Sequence, residues 1–330
     1  ELNADLLRHR AHTTVATSHA SIVTPFVLGS ALALYLYPRL STSDVPFTSF
    51  ALFMGVAMSI TAFPVLARIL TDTGMSKTEL GAVALTCAAA DDVTAWCLLA
   101  LVVGVTQARV QDAVIVSVLA AGFIAIMFLV VRPVILRLVT RADASPQAGL
   151  PFLLAGLLLA AVATEWIGIH AVFGAFLFGT VIPHDSATAR ALTDRLETVV
   201  TILLLPAFFA FTGMRTEIGL VSGASEWLMC GLIILVATAG KFGGTLAAAR
   251  LTGMDWRGAA GLGVLMNTRG LMELIVLNIG LDLHVISPVL FTMMVLMALA
   301  TTVATTPALQ WLGVDRQRMF LRYNPPAVVR

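Results

Sequence analysis

Two adjacent aspartates, Asp91 and Asp92, stand in the string AAADDVTAW, deep within an apolar run over 79–105. A lysine, Lys241, stands in AGKFGGT, within a second apolar run over 226–250. Carboxylates and an amine in such surroundings suit the binding and release of small cations and protons. Each charge held away from water costs ~2.5–3.5 kcal/mol on insertion scales and usually marks function. At 1.5 Å per helical residue, the aspartates lie about 18–20 Å into their run and Lys241 about 21 Å into its own. Two acids and one base therefore meet at one level. Neighbouring helical residues point about 100° apart, so Asp91 and Asp92 cannot both face the same partner. One is expected to pair with Lys241 and the other to face a water-filled cavity, where Ala88, Ala89 and Ala90 leave room for ions. The bland alternative is a structural ion pair joining two helices. Such a pair needs only one acid, and a second would be costly to retain without a role.

The helices that carry these groups have two companions with interruptions. In SITAFPVLARIL (Ser59 to Leu70), Pro64 lacks an N–H, so the carbonyl of Ile60 loses its helical partner. Ser59 and Thr61 are placed to serve the freed backbone. In VLMNTRGLMELIVLNIG (Val264 to Gly280), Asn267, Thr268, Arg269 and Gly270 break an otherwise apolar helix. Arg269 and Glu273 are four apart on one face and can pair. Two readings stand side by side. Either Arg269 offsets the negative ends of helices at a crossing, with Glu273 tuning it, or the two form a self-contained structural pair.

Composition sets the wider frame. Of 330 residues, 58% are hydrophobic and 12% charged, and the mean hydropathy is +0.93. A soluble domain carries about twice that charge. A water-soluble enzyme, a nucleic-acid binder and a disordered chain are excluded, and the net charge of +1 points to no polyanionic partner. Cys87, Cys97 and Cys230 all lie in apolar runs, so neither a disulfide framework nor a thiolate metal cluster is implied. The fold class is an all-α polytopic membrane protein.

A hydrocarbon core about 30 Å thick takes ~20 apolar helical residues per crossing. Ten spans are expected, at 19–37, 47–70, 79–105, 111–138, 150–166, 168–183, 196–213, 226–250, 258–281 and 285–309. The fifth and sixth are short and divided at Gly168. With ten spans, 15 basic residues fall on the side of the termini and 3, Arg39, Arg109 and Arg215, on the other. The positive-inside rule then places both termini in the cytoplasm. Residues 1–12 do not read as a signal peptide. Spans one to three and eight to ten are separated by seven crossings, so the second triplet enters from the opposite face. The middle helix of each triplet is the interrupted one, which is the pattern of an inverted repeat around a transport site.

Other features read as structural. The six histidines mostly sit at span edges, and Glu165 lies near a span end where it can reach the interface. FGAFLFGTVIP (Phe173 to Pro183) and LLLPAFFAFTGM (Leu203 to Met214) read as packing surface, with Gly174, Ala175 and Gly179 allowing helices to approach closely. Gly258, Gly261 and Gly263 do not follow a dinucleotide-binding order and read as packing glycines. No cofactor is expected.

SITAFPVLARIL, AAADDVTAW, AGKFGGT and MNTRGLMELIVLNIG, in this order, resemble the cation:proton antiporter family. More narrowly, they resemble the branch holding bacterial potassium/sodium–proton antiporters and plant cation/proton exchangers. The resemblance covers essentially the whole chain and implies a sodium/proton antiporter-like fold with two broken, crossed helices. It further implies a homodimer in the cell membrane. The core would comprise 13–108 and 226–309, the linker helix 111–141 and the dimerisation part 150–213. Members have further spans upstream of what is here the first, so N-terminal spans are expected to be lacking. Carried over by motif, Asp92 is the carboxylate that binds cation and proton alternately, and Asp91 is the partner of Lys241. Ser59, Thr61, Pro64, Asn267, Thr268, Arg269 and Glu273 belong to the broken-helix crossing. The implied activity exchanges potassium or sodium for protons across the bilayer, with no resident metal and no enzymatic step. A channel would instead show a filter-like loop or a ring of acids. An intramembrane aspartyl protease would need its two acids on separate helices. A non-transporting membrane protein would not need the midplane charges.

Overall fold

The computed structural model describes residues 11–42, 45–107, 110–142, 146–168, 171–183 and 186–314. Among these the regular structure is entirely helical. The chain divides into two compact units, one formed by Glu1–Ala95 with Arg215–Arg330, the other by Trp96–Met214.

In the first unit, α1 (Ala11–Leu40) is followed by α2 (Phe47–Ser59), α3 (Phe63–Asp72) and the start of α4 (Glu79–Gln107). The later half supplies α11 (Ala224–Leu251), α12 (Trp256–Met266), α13 (Leu271–Asp282) and α14 (Pro288–Leu312). Each triplet holds one helix broken in its middle. The first break covers Ile60 to Ala62 in extended backbone, and Pro64 sits in the first turn of α3. There its missing N–H costs nothing, whereas a continuous helix would drive its ring into the carbonyl of Ile60. This corrects the expected local arrangement. The Ser59 hydroxyl donates to Ile22 O at 3.0 Å and Gly55 O at 2.7 Å, and the Thr61 hydroxyl reaches Asp91 and the Met266 carbonyl of the other break, rather than the Ile60 carbonyl. The second break falls between α12 and α13, which are bent by 42°. Asp255 caps α12 by accepting from the amides of Arg257 and Gly258, both at 3.1 Å.

Close approach of α1 and α11 depends on glycine. A Cβ on Gly240 would lie 2.8 Å from Cα of Pro25, and one on Gly244 would lie 2.6 Å from Oγ1 of Thr24. A core cluster beneath the breaks joins Leu66 and Leu70 of α3 to Cys87 and Ala88 of α4, and to Leu262 and Met266 of α12.

The second unit contains α5 (Val110–Ile126), α6 (Arg132–Ala142), α7 (Pro146–Ile167), α8 (Ala171–Val181), α9 (Ala187–Val199) and α10 (Leu205–Arg215, whose last residue belongs to the first unit). Five-residue π-helical segments at Met127–Val131 and Val200–Leu204 join α5 to α6 and α9 to α10. Gly174 lets α8 press onto the Ala160 carbonyl and the Thr164 hydroxyl of α7, whereas Gly179 is exposed and a Cβ there would meet nothing within 4 Å among the described residues. The close-packing role therefore belongs to Gly174 and not to Gly179. Glu165 does more than reach outward: its carboxylate accepts the amide of Ala171 at 2.8 Å and caps α8.

Eight helical runs among the described residues are long and apolar enough to cross a membrane, and the bent pair α12–α13 makes a ninth. The sixth expected span differs. It is α8, only 11 residues long, or about 16 Å at the helical rise. Gly168, in the left-handed region at φ +93°, lies before it and Pro183 after it. The run placed at 196–213 is longer than expected, extending over Ala187–Leu220.

Candidate functional site: a buried ion pair beside two crossing breaks

The two breaks touch. The amide of Ala62 donates to the carbonyl of Thr268 at 3.0 Å. Gly270 lies against Val65 and Ala62, where a Cβ would come 2.6 Å from Cγ2 of Val65. The backbone of Arg269 is held from a third helix: its N–H donates to Oγ1 of Thr302 at 2.8 Å, and that hydroxyl donates to its carbonyl at 2.7 Å. Unwound backbone at membrane depth is tolerated only where protein or water satisfies it, and here the two breaks and Thr302 do so.

An α-helix that ends inside the unit leaves its last carbonyls without intrahelical partners. At the end of α2 three consecutive carbonyls receive cationic donors. Arg269 donates to Ala57 O at 3.1 Å and to Met58 O at 2.8 Å. Lys241 donates to Ser59 O. The same arginine bonds Glu273 at 2.9 Å, with both side chains fully buried. The two readings of Arg269 are therefore not exclusive in the geometry: the pair exists, and its cation also stands at the negative end of a broken helix.

Lys241 completes its three donors with Ser21 O at 2.9 Å and Oδ2 of Asp91 at 3.0 Å. Asp91 is surrounded. Its Oδ1 accepts from Ser18 and Ser21, both at 3.2 Å. Its Oδ2 lies 3.0 Å from the Ser21 hydroxyl and 2.7 Å from that of Thr61, in addition to Lys241. Four donor groups thus surround the Asp91 carboxylate, Lys241 and three hydroxyls, with the one Ser21 proton shared between it and the Ser18 carbonyl at 2.8 Å. Asp92 contrasts with it. Its side chain is half-buried, and its Oδ1 is a buried atom with no hydrogen-bond partner among the described residues.

Thus Asp91, Lys241, Ser59 and Thr61 meet at one place, and Arg269, Glu273 and Thr268 meet at the adjoining crossing. Pro64 contributes by ending α2 rather than by contact. Asn267 caps the end of α12, its amide bonding Val264 O at 3.2 Å, while its side-chain Oδ1 is buried without a partner among the described residues. Sequence reasoning missed Ser18, Ser21 and Thr302. A weak signal existed for the first two: Thr14, Thr17, Ser18 and Ser21 fall at i, i+3, i+4, i+7 spacing, though Thr13 and His19 beside them blur that face. Thr302 carried none, since its role depends on a backbone brought to it from another helix.

The arrangement can hold one compensated anion and offer a second carboxylate to a cation or a proton. Comparison with known proteins places it in a wider group. The family model described as sodium/hydrogen exchanger, transmembrane, matches residues 1–313. The chain is 44% identical over 312 residues to the Na(+)/H(+) antiporter NhaS4 of Synechocystis sp., covering 93% of this chain and 76% of that one. It is 40% identical over 322 residues to Cation/H(+) antiporter 20 of Arabidopsis thaliana, covering 93% and 38%. Against K(+)/H(+) antiporter 1 of Saccharomyces cerevisiae it is 32% identical over 332 residues, covering 96% and 38%. The chain therefore spans well under half the length of the plant and yeast relatives. On the match of its membrane region from end to end, this multi-pass protein belongs to the sodium/hydrogen exchanger family.

Proposed function

We propose that the chain forms the membrane part of a secondary antiporter that exchanges a monovalent cation, potassium or sodium, for protons. Asp92 binds cation and proton in alternation, and that competition for one carboxylate is the coupling. The observation that carries this reading is the contrast between the two neighbours. Asp91 has Lys241 and three hydroxyls within hydrogen-bond distance, while Asp92 keeps a buried oxygen without a partner among the described residues. The broken helices bring carbonyl groups and helix ends beside the pair, where a partly dehydrated cation finds oxygen ligands. Lys241 swaps or releases Asp91 as the core changes conformation.

In this proposal residues 13–108 and 226–309 act as the transporting core, 111–141 as a linker helix and 150–213 as the dimerisation part. Only 6% of the most apolar stretch of Ala187–Leu220 is buried within the chain, against 72% for Phe47–Asp72, which leaves that surface open to lipid or to a second copy. The protein sits in the cell membrane with both ends of this chain in the cytoplasm. No enzymatic step is involved.

The test is reconstitution in liposomes with imposed pH and cation gradients, each alkali ion supplied separately. Wild-type protein should move protons in response to a cation gradient and saturate with it. Asp92→Asn should abolish that movement while the variant remains folded in detergent. Retained exchange in Asp92→Asn refutes the assignment, and unsaturable flux indifferent to pH would identify a channel.

A further inference from the structure

Asp91 and Asp92 are adjacent, their side chains about 100° apart on one helix, and Lys241 bonds the first of them at 3.0 Å. Helix geometry alone sets the directions of the two carboxylates, not how firmly the long lysine side chain is held to one of them. The hydrogen bonds point to two serines of α1. Ser18 and Ser21 both reach Oδ1 of Asp91 at 3.2 Å, and Ser21 also reaches Oδ2 at 3.0 Å. Ser21 acts from two sides at once, because its own carbonyl accepts from Lys241 at 2.9 Å. Ser18 is 5% exposed and Ser21 fully buried, so these bonds form away from competing water. The site is held in register by the close α1–α11 packing at Gly240 and Gly244.

We propose that Ser18 and Ser21 are positioning residues that fix the Asp91 carboxylate toward Lys241 and so keep the ammonium from competing with the transported cation at Asp92. The inference rests on Asp92 being the exchanging carboxylate. The charged groups of the first unit close to this pair are Asp91, Asp92, Lys241 and, at the adjoining crossing, Arg269 with Glu273. Arg269 is occupied by Glu273 and two carbonyls. Lys241 is thus the cation free to choose between the aspartates once the hydroxyls are gone. A lysine that spends time on Asp92 acts as a competitive inhibitor. It raises the concentration of cation needed for half-maximal exchange and leaves the maximal rate in place.

The experiment measures exchange by the full chain in liposomes over a range of potassium and, separately, sodium concentrations. Ser18→Ala/Ser21→Ala should raise KM for the cation about tenfold, as expected for losing hydrogen bonds to a charged group, with maximal rate within about twofold. Ser21→Thr, which retains a hydroxyl, should restore most of the affinity. A fall in maximal rate at unchanged KM, or a drop in thermal stability with kinetics unaltered, assigns the serines a structural role and overturns the proposal. If the double variant does not fold, Ser18→Ala alone carries the comparison with a smaller rise in KM, and an unchanged KM there overturns it equally. Wild-type protein and Asp92→Asn run alongside. Exchange absent from the former or retained by the latter defeats the antiport reading, whereas normal controls with unshifted serine variants defeat only this inference.

Discussion

Lys241 and Arg269 divide the end of α2 between them, the lysine taking the carbonyl of Ser59 and the arginine those of Met58 and Ala57. Each also holds an acid, Asp91 in one case and Glu273 in the other. A helix end that would otherwise present bare carbonyls within the protein thereby becomes the junction of two ion pairs. The first break and the second are consequently coupled through charge as well as through the Ala62–Thr268 backbone bond.

Breaking one of these pairs from a single side leaves an uncompensated charge. Asp91→Asn and Lys241→Met, each alone, should lower stability by ~3–5 kcal/mol. The double variant should recover part of that loss, because neither charge is then left alone. Thermal unfolding of the detergent-solubilised protein across this double-mutant cycle measures the coupling. Additive losses would show that Lys241 and Asp91 do not depend on each other.

Arg269 and Glu273 should respond unequally. Glu273→Gln retains a group able to bond the guanidinium and should cost about 1–3 kcal/mol. Arg269→Met strands Glu273 and two carbonyls together and should cost ~3–5 kcal/mol or prevent folding. Equal effects in the same unfolding assay would mean that the carbonyl contacts contribute nothing.

Gly270 has φ 173°, extended backbone that any residue adopts, so its constraint is space alone. In Gly270→Ala the new methyl meets the stiff branched side chain of Val65 at 2.6 Å. Overpacking of this kind costs ~1–3 kcal/mol. Unfolding should shift downward, and exchange in liposomes should slow as the crossing is pushed apart. Gly270→Ala paired with Val65→Ala should regain much of both.

Thr302 supplies both a donor and an acceptor to the backbone of Arg269. Thr302→Val keeps the shape and removes both, leaving a buried amide and carbonyl unpaired at a cost of about 1–3 kcal/mol. Thr302→Ser should restore stability. A valine variant as stable as wild type would mean that the break satisfies itself.

At the far end of α13, Arg215 bonds Asn278 at 2.9 Å and also Asp282, whose side chain is 62% exposed. Water screens that pair, so Arg215→Gln should cost under about 1 kcal/mol. Its effect should shrink further in high salt. A salt-independent loss would locate the contribution in the Asn278 bond instead.

Sequence alone determined the membrane character, the positions of most spans, and both breaks with the acids and base between them. These properties are written in composition and in exceptions to it: a charge, a proline or an asparagine stands out against apolar helix because the bilayer makes each costly. Helical geometry required a division of labour between Asp91 and Asp92, and the family resemblance assigned Lys241 to Asp91, but neither named the groups that hold the pair. That Ser18 and Ser21 of α1 surround the Asp91 carboxylate was decided only when α1 and α11 packed across glycines. Pro64 was legible as a break, yet where the helix ends and what Thr61 then bonds depended on Met266 and Asp91 arriving from elsewhere. Thr302 and the sixth span show the same limit from opposite directions. A hydroxyl in a helix gains its role from the strand of backbone set beside it, and an apolar run of borderline length acquires its extent from what packs around it. Hydrophobicity is a property of each residue, but hydrogen-bond partnership belongs to pairs, and those that matter here join residues as far apart as Ser21 and Lys241.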